Sequence, residues 1–474
     1  DEDATVYSNS PKCGKLLQIN PFAFPYKSVD LLEHVDRLVG IFNACWPMYA
    51  AMPSVLKKSI VLAYEKCGWN LLLSENKYKK ANEPVYPTIE DVLYCLKDYI
   101  NNSEYSNETK GDYKGALETR LSDLNTGLLG LIFSGEPIPD NELFNQNSII
   151  DLSRIGSAET KALIMGFMVM KLNEFRMSEG SMNRKLNHVT ILEEAHNLLK
   201  KTSTEQSQES ANLTGKSVEM ISNSIAEMRT YGEGFIIVDQ SPSLLDTSAI
   251  RNTNTKIVMA LPEGSDRTTA GKSMALSEDQ TEQIAKQHVG EAIVYQNSWE
   301  EAVQCKIHEY RYKDCNRYTK QYSMPAVAQR VARVEVLNFL LHNLVNKPID
   351  FQQVDEFIEN DMIPSSLRIR LLEMLREYKT QKTVSLWEKE NFHKLMTIVS
   401  DYLNIDTEVT KIKKMIFSVK DIPKYRYLFD DLLRNTIQGS IDSHTIFYIE
   451  QNYSKTMRQE LYEKWRETFK TNKL

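Results

Sequence analysis

The chain has no apolar run approaching the ~20 residues of a membrane-spanning helix; its most apolar stretches, such as Ile60–Tyr64 and Leu163–Met170, are far shorter. No basic-then-apolar leader opens it, so the expectation is a cytoplasmic protein that does not engage a membrane. Cysteine is scarce: Cys13, Cys45, Cys67, Cys95, Cys305 and Cys315 form no C-x-x-C pair and have no His at ligand spacing. This argues against a zinc site or a disulfide framework and for free thiols in a reducing cytosol. Only 18 Gly and 15 Pro occur in 474 residues, which excludes fibrous and low-complexity classes. A basic excess is also missing. With 57 Lys and Arg against 64 Asp and Glu the net charge is −7, although residues 320–474 carry 24 basic against 21 acidic side chains. Nucleic-acid binding, if present, must come from local patches or from a ring of subunits.

What the chain does contain is room for two to four domains and a sharp change of texture. Leu16–Asn20 reads as a buried strand ending in an Asn-Pro turn, and the first residue is Asp; both suggest a piece of a longer protein. From Ser28 to about Asn145 apolar residues recur at three and four. Helices are expected over Pro53–Trp69, Ile89–Ile100 and Tyr113–Leu131, together forming an all-helical module. From Ser148 short strands alternate with helices. The strands are expected at Ile149–Leu152, His188–Leu192, Phe235–Val238, Lys256–Ala260 and Glu291–Tyr295. The helices between them are expected at Ala158–Met177, Lys216–Tyr231, Asp266–Ser273 and Glu278–Gln287. Such spacing predicts an α/β unit with a mostly parallel sheet. The polar stretch Lys201–Gly215 reads as a mobile loop and Asp314–Pro325 as a linker, after which only helical periodicity continues to Leu474. No internal repeat is evident.

The sharpest chemical feature is Val189-Thr190-Ile191-Leu192-Glu193-Glu194-Ala195-His196, an apolar strand that delivers two adjacent carboxylates to its C-terminal end. Open α/β sheets place their active sites there. Phosphoryl transfer needs one acid for the Mg²⁺ shell and a neighbour to orient and deprotonate water. The competing reading is a helix N-terminus that welcomes acids through its dipole. His196 reads as a hydrogen-bonding residue more readily than as a ligand. Downstream, Ile225–Gln240 runs helix, Arg229, Gly-containing turn, buried strand and Gln240. An Arg reaching a neighbouring subunit's site and a strand-end polar residue facing a γ-phosphate would use this layout. Arg229 could equally be a solvated helix-end cation, and Gln240 a cap before Pro242.

Taken together, LEEAH, EMRTYGEGFIIVDQSPSLLD, AIRNTNTKIVMALPEGSDR and GEAIVYQ resemble the HerA/FtsK-type ATPases, in particular the HerA-like helicase group. Upstream, LLQINPF, HVDRLVGIFNACWPMYAAMPSVLKKSI and AYEKCGWNL resemble that group's helical insertion, so the likeness covers about residues 16–308. The resemblance implies a RecA-like core, ATP with Mg²⁺, a homo-oligomeric ring (a hexamer) and translocation of duplex DNA. It implies Glu193 at the Mg²⁺ shell, Glu194 as catalytic base, Arg229 as arginine finger supplied in trans, and Gln240 as γ-phosphate sensor. Arg251 is the second choice for the finger. It divides the chain into the start of the core (1–27), the helical insertion (28–147), the core with the acids (148–312) and a C-terminal helical domain (313–474). A nuclease or effector partner in DNA processing or anti-phage defence fits such a protein. A catalytically weak ring scaffold for an effector and a conjugation-type secretion ATPase are the alternatives.

One departure from the family pattern matters. The phosphate cradle G-x-x-x-x-G-K-[ST] is nowhere in the chain; Gly14-Lys15, Gly215-Lys216-Ser217 and Gly271-Lys272-Ser273 all fail its spacing. The expectation is half of a split nucleotide site, binding ATP weakly or not at all and inactive alone. Of the weaker signals, Trp46-Pro47-Met48 and Trp69 read as core. Lys411–Arg426 holds six basic residues and one acid interleaved with Phe417 and Tyr425, compatible with phosphate contact, although a solvated helical face is the simpler reading.

Overall fold

A computed structural model of the chain describes residues 4–10, 12–80, 83–134, 137–202, 210–309 and 331–471. The chain divides into two compact units, Asp1–Met324 and Pro325–Leu474. The expected linker over Asp314–Pro325 lies outside the described residues.

The first unit is built round the helix Ala158–Ser178. Its segment ALIMGFMVMKL is apolar on every side, so it can only be stable when covered all round, and Ala162–Asn173 is buried but for Met165. The helix Leu31–Cys45 crosses it closely: a Cβ on Gly166 would come within 2.6 Å of Ile41 Cγ2, so the crossing needs glycine there. A buried polar pair locks the crossing, with His34 Nδ1 2.9 Å from Glu174 Oε1 and Arg37 Nη1 3.6 Å from the same oxygen. The expected helices form over Met52–Lys66 and Ile89–Asn102, the latter started by a reciprocal Thr88–Asp91 cap. Tyr113–Leu131 falls on two helices: one runs unbroken from Asn107 to Leu124 with a π-helical stretch at Lys114–Glu118, and the next spans Gly127–Ser134. The break falls where Asn125-Thr126-Gly127 brings in a glycine at φ 62°. Two small hairpins, Trp69–Asn70 with Glu75–Asn76 and Lys79–Lys80 with Glu83–Pro84, interrupt the otherwise helical insertion.

The strands of the α/β part are β1 (Thr5–Ser8), β2 (Lys15–Leu16), β3 (Ser148–Asp151), β4 (His188–Glu193), β5 (Glu233–Val238), β6 (Thr255–Val258), β7 (Glu291–Gln296) and β8 (Val303–Lys306). β1 pairs in parallel with β2 and β3, and β4 pairs in parallel with β5. β6, β7 and β8 are antiparallel, β7 and β8 being joined by a connection too short for a parallel crossover. The strand expected over Leu16–Asn20 is cut short: Leu17 N still donates to Ser8 O of β1, but beyond it Ile19 N donates to Ile132 O and Gln18 O accepts from Ile138 N. The expected loop over Lys201–Gly215 is partly helical, since a helix starts at Ser210 and runs to Glu227; residues 203–209 lie outside the described residues. Cys13, Cys45, Cys67, Cys95 and Cys305 are free thiols.

The second unit packs eight helices of seven to seventeen residues, from Val334–Leu340 to Gln459–Thr471, round a core containing Phe339, Leu371, Val399, Tyr425, Phe429 and Trp465. Glu450 sits in this core with its Oε1 unbonded and Arg426 Nε 3.9 Å from Oε2. Burial pushes its carboxyl up to about 7, only partly offset by the nearby Trp465 indole and the Arg426 guanidinium. A carboxyl raised in the folded state contributes stability that is complete below its unfolded value and lost as pH rises through about 7. Glu450→Gln should therefore melt like the parent at about pH 4 and roughly 2–5 °C higher at about pH 8, measured by thermal unfolding across that range.

Candidate active site

The β4–β5 register sets the geometry. His188 lies opposite Glu233, Thr190 opposite Phe235 and Leu192 opposite Ile237, while Ile191 faces Ile236 and Glu193 faces Val238. Because side chains alternate, the first set shares one face and the second the other. The first face is fastened from within. Glu233 is buried, and its carboxylate accepts from Thr190 Oγ1 at 2.7 Å and Arg176 Nε at 2.9 Å, and shares a hydrogen bond with His188 Nδ1 at 2.8 Å. Burial would raise this carboxyl, but the bonds from His188, Thr190 and Arg176 outweigh it and hold it below its ordinary value. Arg176 also donates to Asn145 Oδ1 and Phe144 O. Gly232, at φ 81°, turns the chain into β5, where a Cβ would strike Lys185 O at 2.5 Å.

The second face has no cover among the described residues: Ile191 is 58% exposed and Ile236 50%, with Val189 and Val238 also open. Ile257 of β6 and Met259 just beyond it are exposed as well. Glu193 lies at the C-terminal margin of this open face. Leaving such side chains in water forgoes about 1.5–3 kcal/mol each, which marks the face as one that expects a partner surface.

Past Glu193 the chain reverses. Glu194 adopts φ 51° and ψ 46°, a left-handed conformation that costs a non-glycine residue about 1–2 kcal/mol. The turn is held by Asn197, whose side-chain and backbone N–H groups both donate to Glu194 O, and by the buried Ala195. Gln240 Nε2, just past the end of β5, donates to Glu194 Oε1 at 2.9 Å. Asp239 beside it is a residue the motif reading missed. Its Oδ2 accepts from His196 N at 2.8 Å and shares a bond with His196 Nδ1 at 2.9 Å, while Oδ1 accepts from Ser241 N. The one signal that could have found it is its place at the end of the strand next to the acid-bearing one. His196 Nδ1 also lies 3.6 Å from Glu194 Oε2, so Asp239, His196, Glu194 and Gln240 form one connected cluster.

The two candidate arginines do not join this cluster. Arg229 sits in the turn Met228–Tyr231 before the first residue of β5. The six residues of β5 put it about 20 Å from Gln240, at a rise of ~3.3 Å each. Arg251 lies on the short helix Thr247–Asn252, which Asn252 Nδ2 ties to Ser222. Both side chains are exposed and make no hydrogen bond or ion pair with the described residues. Glu193 and Glu194 offer the one or two carboxylates that Mg²⁺ takes from a protein, its remaining ligands being water and phosphate oxygens. Among the described residues no group of three or more His, Cys, Asp or Glu gathers as a metal site.

The class follows from the ordered motifs: the chain is similar to the HerA/FtsK-type ATPases, and its first unit is of mixed α/β type with parallel strand pairs. Over 197 residues it is 26% identical to the DNA double-strand break repair helicase HerA of Sulfurisphaera tokodaii, covering 40% of this chain and 37% of that protein. Over 156 residues it is 29% identical to the DNA double-strand break repair helicase HerA of Sulfolobus acidocaldarius, covering 32% of this chain and 29% of the relative. The match thus spans about a third of each curated relative. Among solved structures, VirB4 of Thermoanaerobacter pseudethanolicus aligns with 15% identity and a TM-score of 0.47, covering 67% of this chain and 78% of that one. No family model matches the chain. No described helix is long and apolar enough to cross a membrane.

The Glu233 cluster gives a direct test. Glu233→Ala strips Arg176, His188 and Thr190 of their shared acceptor while Arg176 keeps Glu179, so urea denaturation should show a loss of about 1–3 kcal/mol, with Glu233→Gln falling between the variant and the parent.

Proposed function

We propose that the chain carries the acid-bearing half of a split ATP site in a HerA-type DNA translocase or helicase subunit. The observation that carries this reading is the hydrogen-bonded pair Glu194–Gln240 at the C-terminal ends of two parallel strands, with Glu194 held in a left-handed turn. Mg·ATP, when bound, supplies the phosphoryl group and the divalent charge. Glu193 stands at the margin of the open face, where it would hold the metal's water shell. Glu194 keeps Oε1 on Gln240 and so presents Oε2 to a water molecule, whose proton it takes as general base. Gln240 holds that carboxylate in place and reads the terminal phosphate. Arg229, at the far end of β5, acts on a neighbouring subunit's site, with Arg251 the second choice; this arrangement calls for a ring, read as a hexamer. The phosphate cradle is contributed by a separate loop-and-helix segment whose apolar side covers Ile191, Ile236, Val189 and Val238. Duplex DNA is the proposed track, and a nuclease or effector in DNA processing or phage defence the proposed companion.

Calorimetric titration of Mg·ATP into this chain should give no detectable heat. Tight binding would show that it builds its own phosphate site and overturn the split arrangement. In a protein that also carries the cradle segment, Glu194→Gln should keep ATP bound while hydrolysis falls about 10²–10⁴-fold. Unaltered turnover would remove Glu194 from the role. Arg229→Ala should reduce hydrolysis about 10³-fold or more, with partial recovery on mixing with Glu194→Gln subunits. Failure to recover at any ratio would count against action in trans.

A further inference from the structure

Between the helices Asp406–Lys414 and Ile422–Thr436 of the second unit the structure reverses what the sequence suggested about the aromatics. Tyr425 is fully buried and belongs to the core, whereas Phe417 is 76% exposed, Tyr427 73% and Met415 49%. Phe417 is not a loose side chain on a slack loop. Its N–H donates to Asp421 Oδ2 at 3.1 Å and its carbonyl accepts from Arg458 Nη2, so the backbone is pinned on both sides while the ring stands in water.

Four lysines stand close to these residues along the chain. Lys411 and Lys414 lie on the last turns of the first helix; Lys420, Lys424 and Tyr427 follow at spacings of four and three along the start of the second. All four are exposed and make no hydrogen bond or ion pair with the described residues. Lys413, by contrast, is turned inward onto Tyr453 O and Thr456 Oγ1. Cations at the C-terminal turn of a helix are favoured by its dipole, but Lys420 and Lys424 sit at a helix N-terminus, where the dipole opposes them. Local helix stability therefore does not explain their placement. The acids nearby are engaged: Asp421 accepts from Phe417 N and Ser418 N, Asp430 pairs with Arg434 and Asp431 accepts from Asn435. Asp421 and Asp431 nevertheless keep their charge, Asp421 lying near Lys424, and Asp406 and Glu408 on the first turn of the first helix add more opposing charge; the lysines themselves are bonded to none of these acids.

We infer that this surface binds single-stranded DNA. Unpaired lysines supply contacts to a phosphate backbone, and two outward aromatic rings with a methionine beside them offer faces on which unpaired bases stack, a surface that a base-paired duplex cannot use. The site is separate from the nucleotide cluster and stands whether or not that cluster hydrolyses ATP.

The test is fluorescence anisotropy on the whole chain with a labelled 20-nucleotide oligo-dT and, separately, a labelled 20-base-pair duplex, each over a series of salt concentrations. The expected result is preferential binding of the single strand, with Phe417→Ala/Tyr427→Ala weakening it about tenfold or more at an unchanged salt slope. Lys420→Gln/Lys424→Gln should flatten the slope of log K against log salt by about 1.4, since each phosphate contact to a single strand contributes about 0.7. All four positions are exposed, and unchanged thermal melting of the variants confirms that folding is untouched. Absence of binding, binding indifferent to both double variants, or equal affinity for duplex would overturn the proposal. Equal competition by poly-glutamate would overturn it in favour of an acidic protein partner.

Discussion

A buried carboxylate cannot stay ionised unless every lone pair it keeps is answered, and Glu233 meets that demand with Arg176, His188 and Thr190. Because these three donors come from the central helix and from β4, the first residue of β5 is locked in register with the first residue of β4 and both are tied to the helix beneath. Everything at the other end of the strand pair follows from that register. Five residues on, Glu193 lies opposite Val238, and just beyond it Gln240 arrives within hydrogen-bond distance of Glu194. A slip of one residue would turn Glu193 toward the helix and the apolar residues of the open face inward.

Among the described residues the same sheet is covered on one side only. Its inner face carries the polar clamp and Leu192, while its outer face leaves a row of β-branched residues in water that leads to Glu193. Such a row calls for an apolar surface packed against it. At Glu194 strain of about a kcal/mol or two is held by Asn197, the Asp239–His196 bond and Gln240 rather than relaxed, with Oε1 bonded to Gln240 and Oε2 3.6 Å from His196 Nδ1.

The second unit handles charge differently. Its core hides Glu450 and turns Lys413 inward, yet its surface displays Phe417 and Tyr427 among unpaired lysines. Burying a carboxyl with one unbonded oxygen is tolerable only while it keeps its proton, whereas an exposed ring costs little by itself and becomes useful when something planar lies against it.

What could be read from the sequence was whatever depends on local periodicity and chain order. The strands at His188–Leu192, Phe235–Val238 and Glu291–Tyr295, the helices after Pro53 and Ala158, the two acids at a strand end and the Gln past the next strand all follow from residue spacing and turn chemistry. Their ordered series was enough to reveal the likeness to HerA/FtsK-type ATPases. The structure alone decided matters that rest on partners distant in the chain. Gln18–Asn20 leaves the sheet because Ile132 and Ile138 compete for its backbone. Asp239 meets His196 across 43 residues. Tyr425 turns inward while Phe417 turns out, although both stand in the same run of lysines. Spacing along a strand or helix says which residues share a face; which face is covered, and by what, depends on contacts between segments that no local pattern encodes.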